Sequence, residues 1–396
     1  MSLDHSLAGT LRPDGPSPSA WTPLTGTAHS IALEVLLDGP LPRSELARRL
    51  DLSAGSLTRL SKPLLDSGLL VETTGAYDPT SGRPTRPLDV DERAHHFVGV
   101  KLTADTAYAV LTTLRATVVD AREAPLPDRD PAAVAAGVGA LVRDLSATEP
   151  HGVRAVGVSL GGRTAPGGLV DSARYLGWER VAFGPALEAH LGLPVVVDND
   201  VLSLTRAEQW FGTASRCAHF AVLVVGVGIG YGLVVHDEVL DRPDAGVGLL
   251  GHFPLDPHGP LCPEGHAGCA DAVLTTSALE FRASMALRRQ VSVAELLDLA
   301  VTGEPSARRV VDHAARCLGT LLAAVGNLVM PEKIVLSGEN ARLADVGREA
   351  LTAGIRAGRS PHASELDVDV QHTGFTEWAR GAAVTAIRTF VLGHRR

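Results

Sequence analysis

The sequence predicts an α/β protein: a winged helix-turn-helix at residues 25–90, then a larger body at residues 95–396 in which strands and helices alternate. Three observations predict it. Three short amphipathic segments joined by tight turns fit within about 45 residues, the dimensions of a helix-turn-helix. A strand, a turn-rich loop and a returning strand follow at once, which is a wing. From His96 onward, apolar runs of strand length alternate with helical patterns.

The elements follow in order. Residues 1–24 read as a flexible tail rich in Pro, Ser and Asp. From Thr27, Ile31, Val35 and Leu36 share one helical face, and Asp38-Gly39-Pro40 ends that helix. A second helix takes Ser44 as its N-cap and turns Leu46, Ala47 and Leu50 inward. A third starts at Ser53, carries the stripe Leu57, Leu60, Leu64 and Leu65, and stops near Gly68, a C-cap glycine. Pro63 lies inside it and is expected to kink it. Residues 69–72 read as a strand, Thr74-Gly75 and residues 80–84 as loop, and residues 86–90 as the returning strand.

In the body, residues 97–102, 107–114 and 116–123 read as strands and 131–146 as an Ala/Val-rich helix. Residues 153–160 and 194–198 are buried-strand patterns, and 220–225 with 232–235 form a glycine-joined β pair. A helical region covers 277–325, a late strand 333–338, and a last helix runs around 375–392.

Length and composition bound the function. The 396 residues suffice for two or three domains, and 45% hydrophobic with 20% charged residues is globular. A net charge of -9 argues against a protein that coats nucleic acid non-specifically, but leaves room for a small DNA-reading surface. Almost every cation is arginine, with lysine only at 62, 101 and 333. Four cysteines make no disulfide framework, which implies a reducing compartment. The N-terminus lacks a basic-then-apolar signal pattern. The most apolar run, residues 220–235, is broken by four glycines and falls short of the about 20 residues a membrane span needs. A cytoplasmic protein with no membrane partner is expected.

The third helix is the expected reading helix. Ser53, Ser56, Thr58, Arg59 and Lys62 lie off its leucine stripe and can face a major groove. Five basic residues between Arg43 and Lys62 stand against Glu45 and Asp51, a local excess of three in an acidic chain. Arg83 and Arg86 of the wing are placed to reach phosphate or the minor groove. A solvated helix face explains any one of these residues, but poorly their coincidence with this spacing.

The densest chemistry lies at residues 248–271, GLLGHFPLDPHGPLCPEGHAGCAD, where His252, Cys262 and Cys269 share a segment with Gly251, Gly265 and Gly268. This resembles the signature of the ROK family (repressors, open reading frames, sugar kinases), in which a Gly-His pair precedes a C-x-C-G-x-x-G-C-x-E run. The resemblance implies a two-lobed actin/hexokinase-like body, a structural zinc and one wall of a sugar pocket. It also fits the winged domain, which is frequent at the head of ROK repressors, and the S-G-R-P link at residues 81–84. The run is altered here. Glu264 stands where the second cysteine sits, Leu249 replaces a glutamate and Asp271 replaces the final one. For one structural zinc, His252, Cys262 and Cys269 supply three ligands and Glu264 takes the fourth position, with His258 and His266 as nearby substitutes. A loop that folds without metal is the alternative.

Other family landmarks recur with losses. Residues 101–106, KLTADT, resemble D-I-G-G-T-K, but Lys101 replaces the acid and Thr103 and Ala104 replace close-approach glycines. Residues 157–162, GVSLGG, with Gly168 and Trp178, resemble the G-V-x-x-P-G … G-x-V … N-L-x-x-W run, with Tyr175 at the sugar-contacting position. Asp198-Asn199-Asp200 resembles E-N-D, whose aspartate is the kinases' general base; a turn after the preceding strand is the other reading. Residues 226–230, GVGIG, resemble a phosphate loop that has lost its hydroxyl at Val227, and residues 334–339, IVLSGE, the strand near adenosine.

The leading reading is a ROK-type transcriptional regulator that binds an inverted repeat of double-stranded DNA as a homodimer or homotetramer. Its body retains Gly162, Tyr175, Asn199, Asp200, His252 and Asp271 for a polar or sugar-like effector, carries at most a vestigial base at Asp200, and needs no ATP. An ATP-dependent sugar kinase with an accessory domain is the runner-up, and Lys101, Val227 and Leu249 speak against it. A body that serves assembly alone is the third possibility.

Overall fold

The computed structural model describes residues 24–74, 86–147, 149, 152–245 and 248–393. The N-terminal unit consists of α1 (Gly26–Asp38), α2 (Arg43–Arg49), α3 (Ala54–Asp66), β1 (Leu70–Glu72) and β2 (Leu88–Val90). β1 and β2 pair antiparallel, Leu70 opposite Val90, and Leu41 adds a bridge to Leu88. Ser53 caps α3 as expected, its hydroxyl accepting from the Ser56 amide at 3.2 Å. Gly68 sits past the end of α3 at φ 74°, where its amide donates to Leu65. The expected Ser44 cap is corrected: α2 begins at Arg43 behind Pro42, whose φ of -59° already suits a helix start. Helix α3 runs unbroken through Pro63, which faces solvent, so the carbonyl its missing N–H leaves over can be hydrated. Most of the expected wing loop, with Arg83, lies outside the described residues.

The body is two lobes of one topology. In the first, β3 (His96–Leu102), β4 (Thr106–Thr113) and β5 (Val118–Pro125) form a meander. Next come α4 (Pro131–Ser146) and β6 (Val153–Leu160). A small sheet of β7 (Arg163–Ala165), β8 (Leu169–Ala173) and β9 (Trp178–Val181) precedes α5 (Phe183–Leu191), β10 (Val195–Asn199) and α6 (Asp200–Phe211). The main sheet has order β10-β6-β3-β4-β5.

The second lobe repeats this with β11 (Phe220–Val225), β12 (Ile229–Val235) and β13 (Glu238–Val239), a 3-10 turn at Leu249–His252, and α7 (Ala270–Leu274). There follow α8 (Thr276–Leu287), α9 (Val293–Val301), α10 (Pro305–Val329) and β14 (Lys333–Ser337). Then come α11 (Leu343–Val346), α12 (Arg348–Gly358), β15 (Val368–Val370) and α13 (Phe375–Phe390). Its sheet order, β13-β12-β11-β14-β15, is the first lobe's read backwards, with the same antiparallel hairpin and two parallel partners. Among the described residues no helix is long and apolar enough to cross a membrane.

Helix α13 returns from the second lobe to lie across the first sheet. Its approach depends on Gly99 and Gly157: a Cβ on either would stand 1.9 Å from a backbone oxygen of α13, that of Ala379 or Ala382. Beyond its end, Val391 and Leu392 join one apolar cluster with Ile31, Val35, Leu57 and Leu64 of the N-terminal unit. Leu24 donates to the Val391 carbonyl, and His29 Nδ1 lies 2.7 Å from the Leu392 carbonyl. From the β4–β5 turn, Arg115 donates to the Leu36, Val35 and Gly39 carbonyls and pairs with Asp89 and Glu92. A body arginine thus caps the carbonyl end of α1, where a cation is favoured.

Candidate DNA interface, cleft and metal centre

On α3 the leucines turn inward, with Leu57 and Leu64 buried, while Ser53, Thr58, Arg59 and Lys62 are exposed and Ser56 is half-buried. Ser53 and Thr58 are partly occupied locally: Ser53 caps the helix and Thr58 donates to the Ala54 carbonyl. The expected basic excess divides in two. Arg43 pairs with Glu72, Arg48 with Glu45, and Arg49 with Glu34, Asp38 and Glu45. Those contacts hold Glu72 below the usual carboxylate range, chiefly through Arg43, and pull Glu45 down to about 2, chiefly through Arg48. Arg59 and Lys62 have no ion-pair partner among the described residues. Arg86 is highly exposed and, among the described residues, its side chain makes a 3.4 Å contact with Glu72.

Between the lobes, Asp200 opens α6 and forms a buried ion pair with Lys101 of β3. The Lys101 ammonium also lies 5.1 Å from the centre of the Trp378 ring of α13. Glu339, just after β14, completes the group; burial pushes its carboxyl up, Asp200 adds to that, and Lys101 draws it back. Asn199 caps α6, and its amide donates to the Gly162 carbonyl at 2.8 Å. Tyr175 reaches across to donate to the Val227 carbonyl at 3.4 Å. Its phenol is pushed up by burial and by the nearby carboxylates of Asp271 and Asp200. Asp271 is itself raised by burial, against the pull of His252 and Arg174. Tyr175, Asp200, Asp271 and His252 therefore stand near one another, and Asn199 is tied to Gly162. Arg174 was missed, because an isolated arginine beside a turn carries no signal of what it faces.

The turn reading of Asp198–Asp200 gives way to a strand that passes directly into a helix, with Asn199 as the cap. The glycine loop also has a plain structural account. A Cβ at Gly226 would stand 1.8 Å from the Glu339 carboxylate, and one at Gly230 would stand 2.5 Å from the Val201 side chain of α6. These glycines admit side chains of the protein itself.

The His/Cys segment folds back on itself through bridges Pro254–Cys269 and Leu261–Ala267. Gly268, at φ 54°, packs so tightly that a Cβ would overlap the Asp256 carbonyl. His252, Cys262 and His266 bring their ligand atoms within 4.8 Å of one another. Cys262 Sγ is 3.9 Å from His252 Nδ1 and 3.6 Å from His266 Nδ1. Donors sharing one tetrahedral zinc stand about 3.5 Å apart, so nitrogen and sulfur here suit that ion in kind and spacing. Cys269 is buried against Cys262. Glu264 lies instead at the other ring nitrogen of His252, 3.0 Å from Nε2. Burial would raise the Cys262 thiol, yet hydrogen bonds from the His266 and Glu264 backbone and from His266 outweigh it and the thiol is lowered. Behind the loop, Arg282 donates to His313 Nδ1 at 2.9 Å, leaving His313 Nε2 to donate to Asp256 at 3.0 Å.

Comparison with known proteins adds to this geometry. The sequence model of the ROK family matches residues 97–388. The DNA-binding transcriptional dual regulator NagC of Escherichia coli (strain K12) is 26% identical over 344 residues, 83% of this chain and 84% of that one. The crystal structure of a ROK family transcriptional regulator, a homolog of the E. coli Mlc protein, superposes with a TM-score of 0.80 at 24% identity, over 92% of this chain and 96% of that one. A ROK hexokinase from Thermus thermophilus gives 0.62 at 26% identity, over 74% of this chain and 97% of its own.

Proposed function

Because this chain belongs to the ROK family, we propose that it is a DNA-binding transcriptional regulator of that family, controlling sugar-related or other metabolic genes in the cytoplasm. The observation that carries this is the division of charge on the N-terminal unit. Arginines beside α3 are neutralised by acids, while Arg59 and Lys62 stand exposed on the face opposite the leucine stripe, without an acid partner among the described residues. An exposed arginine on a helix of this motif reads guanine bidentately. Ser53, Ser56 and Thr58 supply neutral contacts to the same groove, and Arg86, with Arg83 beyond the described residues, supplies phosphate contacts from the wing. One such unit reads one half-site, so a two-fold dimer, or a tetramer built from it, reads an inverted repeat. With the operator located by genomic footprinting, Arg59→Ala is expected to weaken binding by about 1–3 kcal/mol and relax specificity at one base position. Unchanged affinity in a gel shift at fixed salt would sink this assignment of the reading helix.

In this reading the cleft of Gly162, Tyr175, Asn199, Asp200, His252 and Asp271 takes a small polar or sugar-like effector and is not an active site. Phosphoryl transfer rests on positioning and on stabilising phosphate charge. Lys101 puts a cation where the family resemblance implies an acid for the metal, and it occupies the one candidate base. The similarity to the hexokinase spans less of this chain than that to the regulator. ADP release from ATP in the presence of hexoses, abolished in Asp200→Asn, would restore the kinase reading.

We also propose that the loop holds one structural zinc on His252, Cys262 and Cys269, with His266 as the fourth donor and Glu264 holding the outer nitrogen of His252. Bound zinc would tie the segment's two ends together. Purified protein is expected to carry about one zinc per chain, and Cys269→Ser to lose it and loosen the loop to proteolysis. His266→Ala and Glu264→Gln separate the two fourth-position candidates, since only loss of a ligand strips the metal. Metal-free wild type, purified without chelator, counts against the site.

A further inference from the structure

A cavity of about 670 Å³ lies away from Lys101, behind Asn199, between the β7–β8 hairpin, the edge strand β10, α6, β13 and the last turns of α13. Four arginines (163, 206, 242 and 388) and three aspartates (171, 198 and 241) line it, leaving one net positive charge. The pairing is uneven. Arg206 is held by the buried Asp198 and by Asp241, the latter at 2.7 Å, and Arg163 meets Asp171 at 3.2 Å. Arg388 has no such carboxylate among the described residues. Its guanidinium lies 4.6 Å from the centre of the Trp210 ring and donates to the Gln209 side chain at 3.2 Å. Burial, with the charge of Arg206, lowers it to about 9 despite Asp198 and Asp241. A desolvated cation on a cavity wall is costly unless an anion meets it.

We propose that this cavity is a binding site for a small oxyanion, a carboxylate or a phosphate ester, received by Arg388 with Arg242 at the rim. Positions 385, 388 and 389 share one face of α13, and because the Thr385 and Thr389 hydroxyls donate to the Gly381 and Thr385 carbonyls, Arg388 is the donor this face presents to the cavity. A monoanion cancels the cavity's net charge. The volume suits a small metabolite, since ligand pockets run from about 300 to 1,000 Å³.

The position ties the site to the seat of the N-terminal unit. Arg388 lies three residues before Val391 and four before Leu392, the residues that hydrogen-bond to Leu24 and His29 and pack on α1. Trp210, beneath Arg388, belongs to that same apolar cluster. An anion drawn onto Arg388 therefore bears on the seat of the N-terminal unit. Its binding needs no DNA, so it stands or falls separately from the regulator reading.

Titration calorimetry on the full chain, at constant ionic strength set with chloride, tests this with inorganic phosphate, malonate and glucose 6-phosphate. At least one is expected to bind saturably, and Arg388→Gln to weaken it by about tenfold or more, a change of about 1.4 kcal/mol. Arg242→Ala, at an exposed position, is expected to weaken it severalfold with an unchanged melting temperature, which keeps the test decisive if Arg388→Gln fails to fold. Stronger binding of phosphate and the sugar phosphate identifies an ester, and stronger binding of malonate identifies a carboxylate. The tryptophan emission change on binding is expected to vanish in Trp210→Phe. Absence of saturable binding by all three, or binding unaltered in both arginine variants, overturns the proposal.

Discussion

Lys101→Met is expected to destabilise the folded protein by about 3–5 kcal/mol, because it leaves the Asp200 carboxylate buried without its cation. The two side chains are only 6% and 12% exposed, so little of the lost attraction is recovered from solvent. The Trp378 ring loses its cation as well. The double variant Lys101→Met, Asp200→Asn removes both charges and is expected to recover most of the loss, since buried pairs replaced as pairs are often neutral or stabilising. Denaturant unfolding of wild type, both single variants and the double variant closes the cycle. A Lys101→Met midpoint equal to wild type means that Asp200 is hydrated and the cleft is open.

Gly157→Ala is expected to cost about 3 kcal/mol, at the upper end of what overpacking does, because the clash is with backbone. The new methyl would stand 1.9 Å from the Ala382 oxygen and 2.6 Å from its carbonyl carbon, and no rotamer relieves it. Helix α13 must lift from the sheet. That strips contacts from Ala383, Val384 and Ile387, in the cluster that also seats the N-terminal unit. Gly99→Ala meets α13 one turn away, at Ala379 and Ala383, and is expected to behave alike. Gly55→Ala is the control: nothing lies within 4 Å of its added carbon, so it is expected to be neutral or slightly stabilising. The measurement is the thermal midpoint of each variant. Equal midpoints for Gly157→Ala and Gly55→Ala would show that α13 is not seated on the sheet this closely.

The elements legible in the sequence were those fixed by short-range physics. The helix at Pro131–Ser146 and the strands at Val153–Leu160 and Phe220–Val225 have the bounds that periodicity gives them. Ser53 caps its helix and Gly68 follows it in the left-handed conformation, because both depend on contacts three or four residues away. The glycine-rich His/Cys run and its neighbours identified the family on sequence alone. Helix α6 was not legible, for a physical reason: ten of its twelve residues are buried, polar ones such as Ser203, Thr205, Arg206 and Glu208 among them, so which residues face the core does not follow from their polarity. The short strands β7 to β9 offer too few residues for any period to register.

What only tertiary structure decided is what each charged or chemically able side chain faces. Lys101 and Asp200 are 99 residues apart, and sequence could show that an acid was replaced but not that its replacement would neutralise the expected base. The excess of cations around α3 shrinks to Arg59 and Lys62 because Glu34, Asp38 and Glu72, from other elements, come to meet the rest. Gly226 and Gly230 read as phosphate-binding, yet the space they leave is filled by Glu339 and Val201. His266 enters the metal group because the loop folds back, while Glu264, in the family's ligand position, turns to the far side of His252. Periodicity and capping act within one or two turns of chain and are written locally. Charge pairing, close backbone approach and ligand convergence depend on which distant segments meet, and that is set by the packing of the whole.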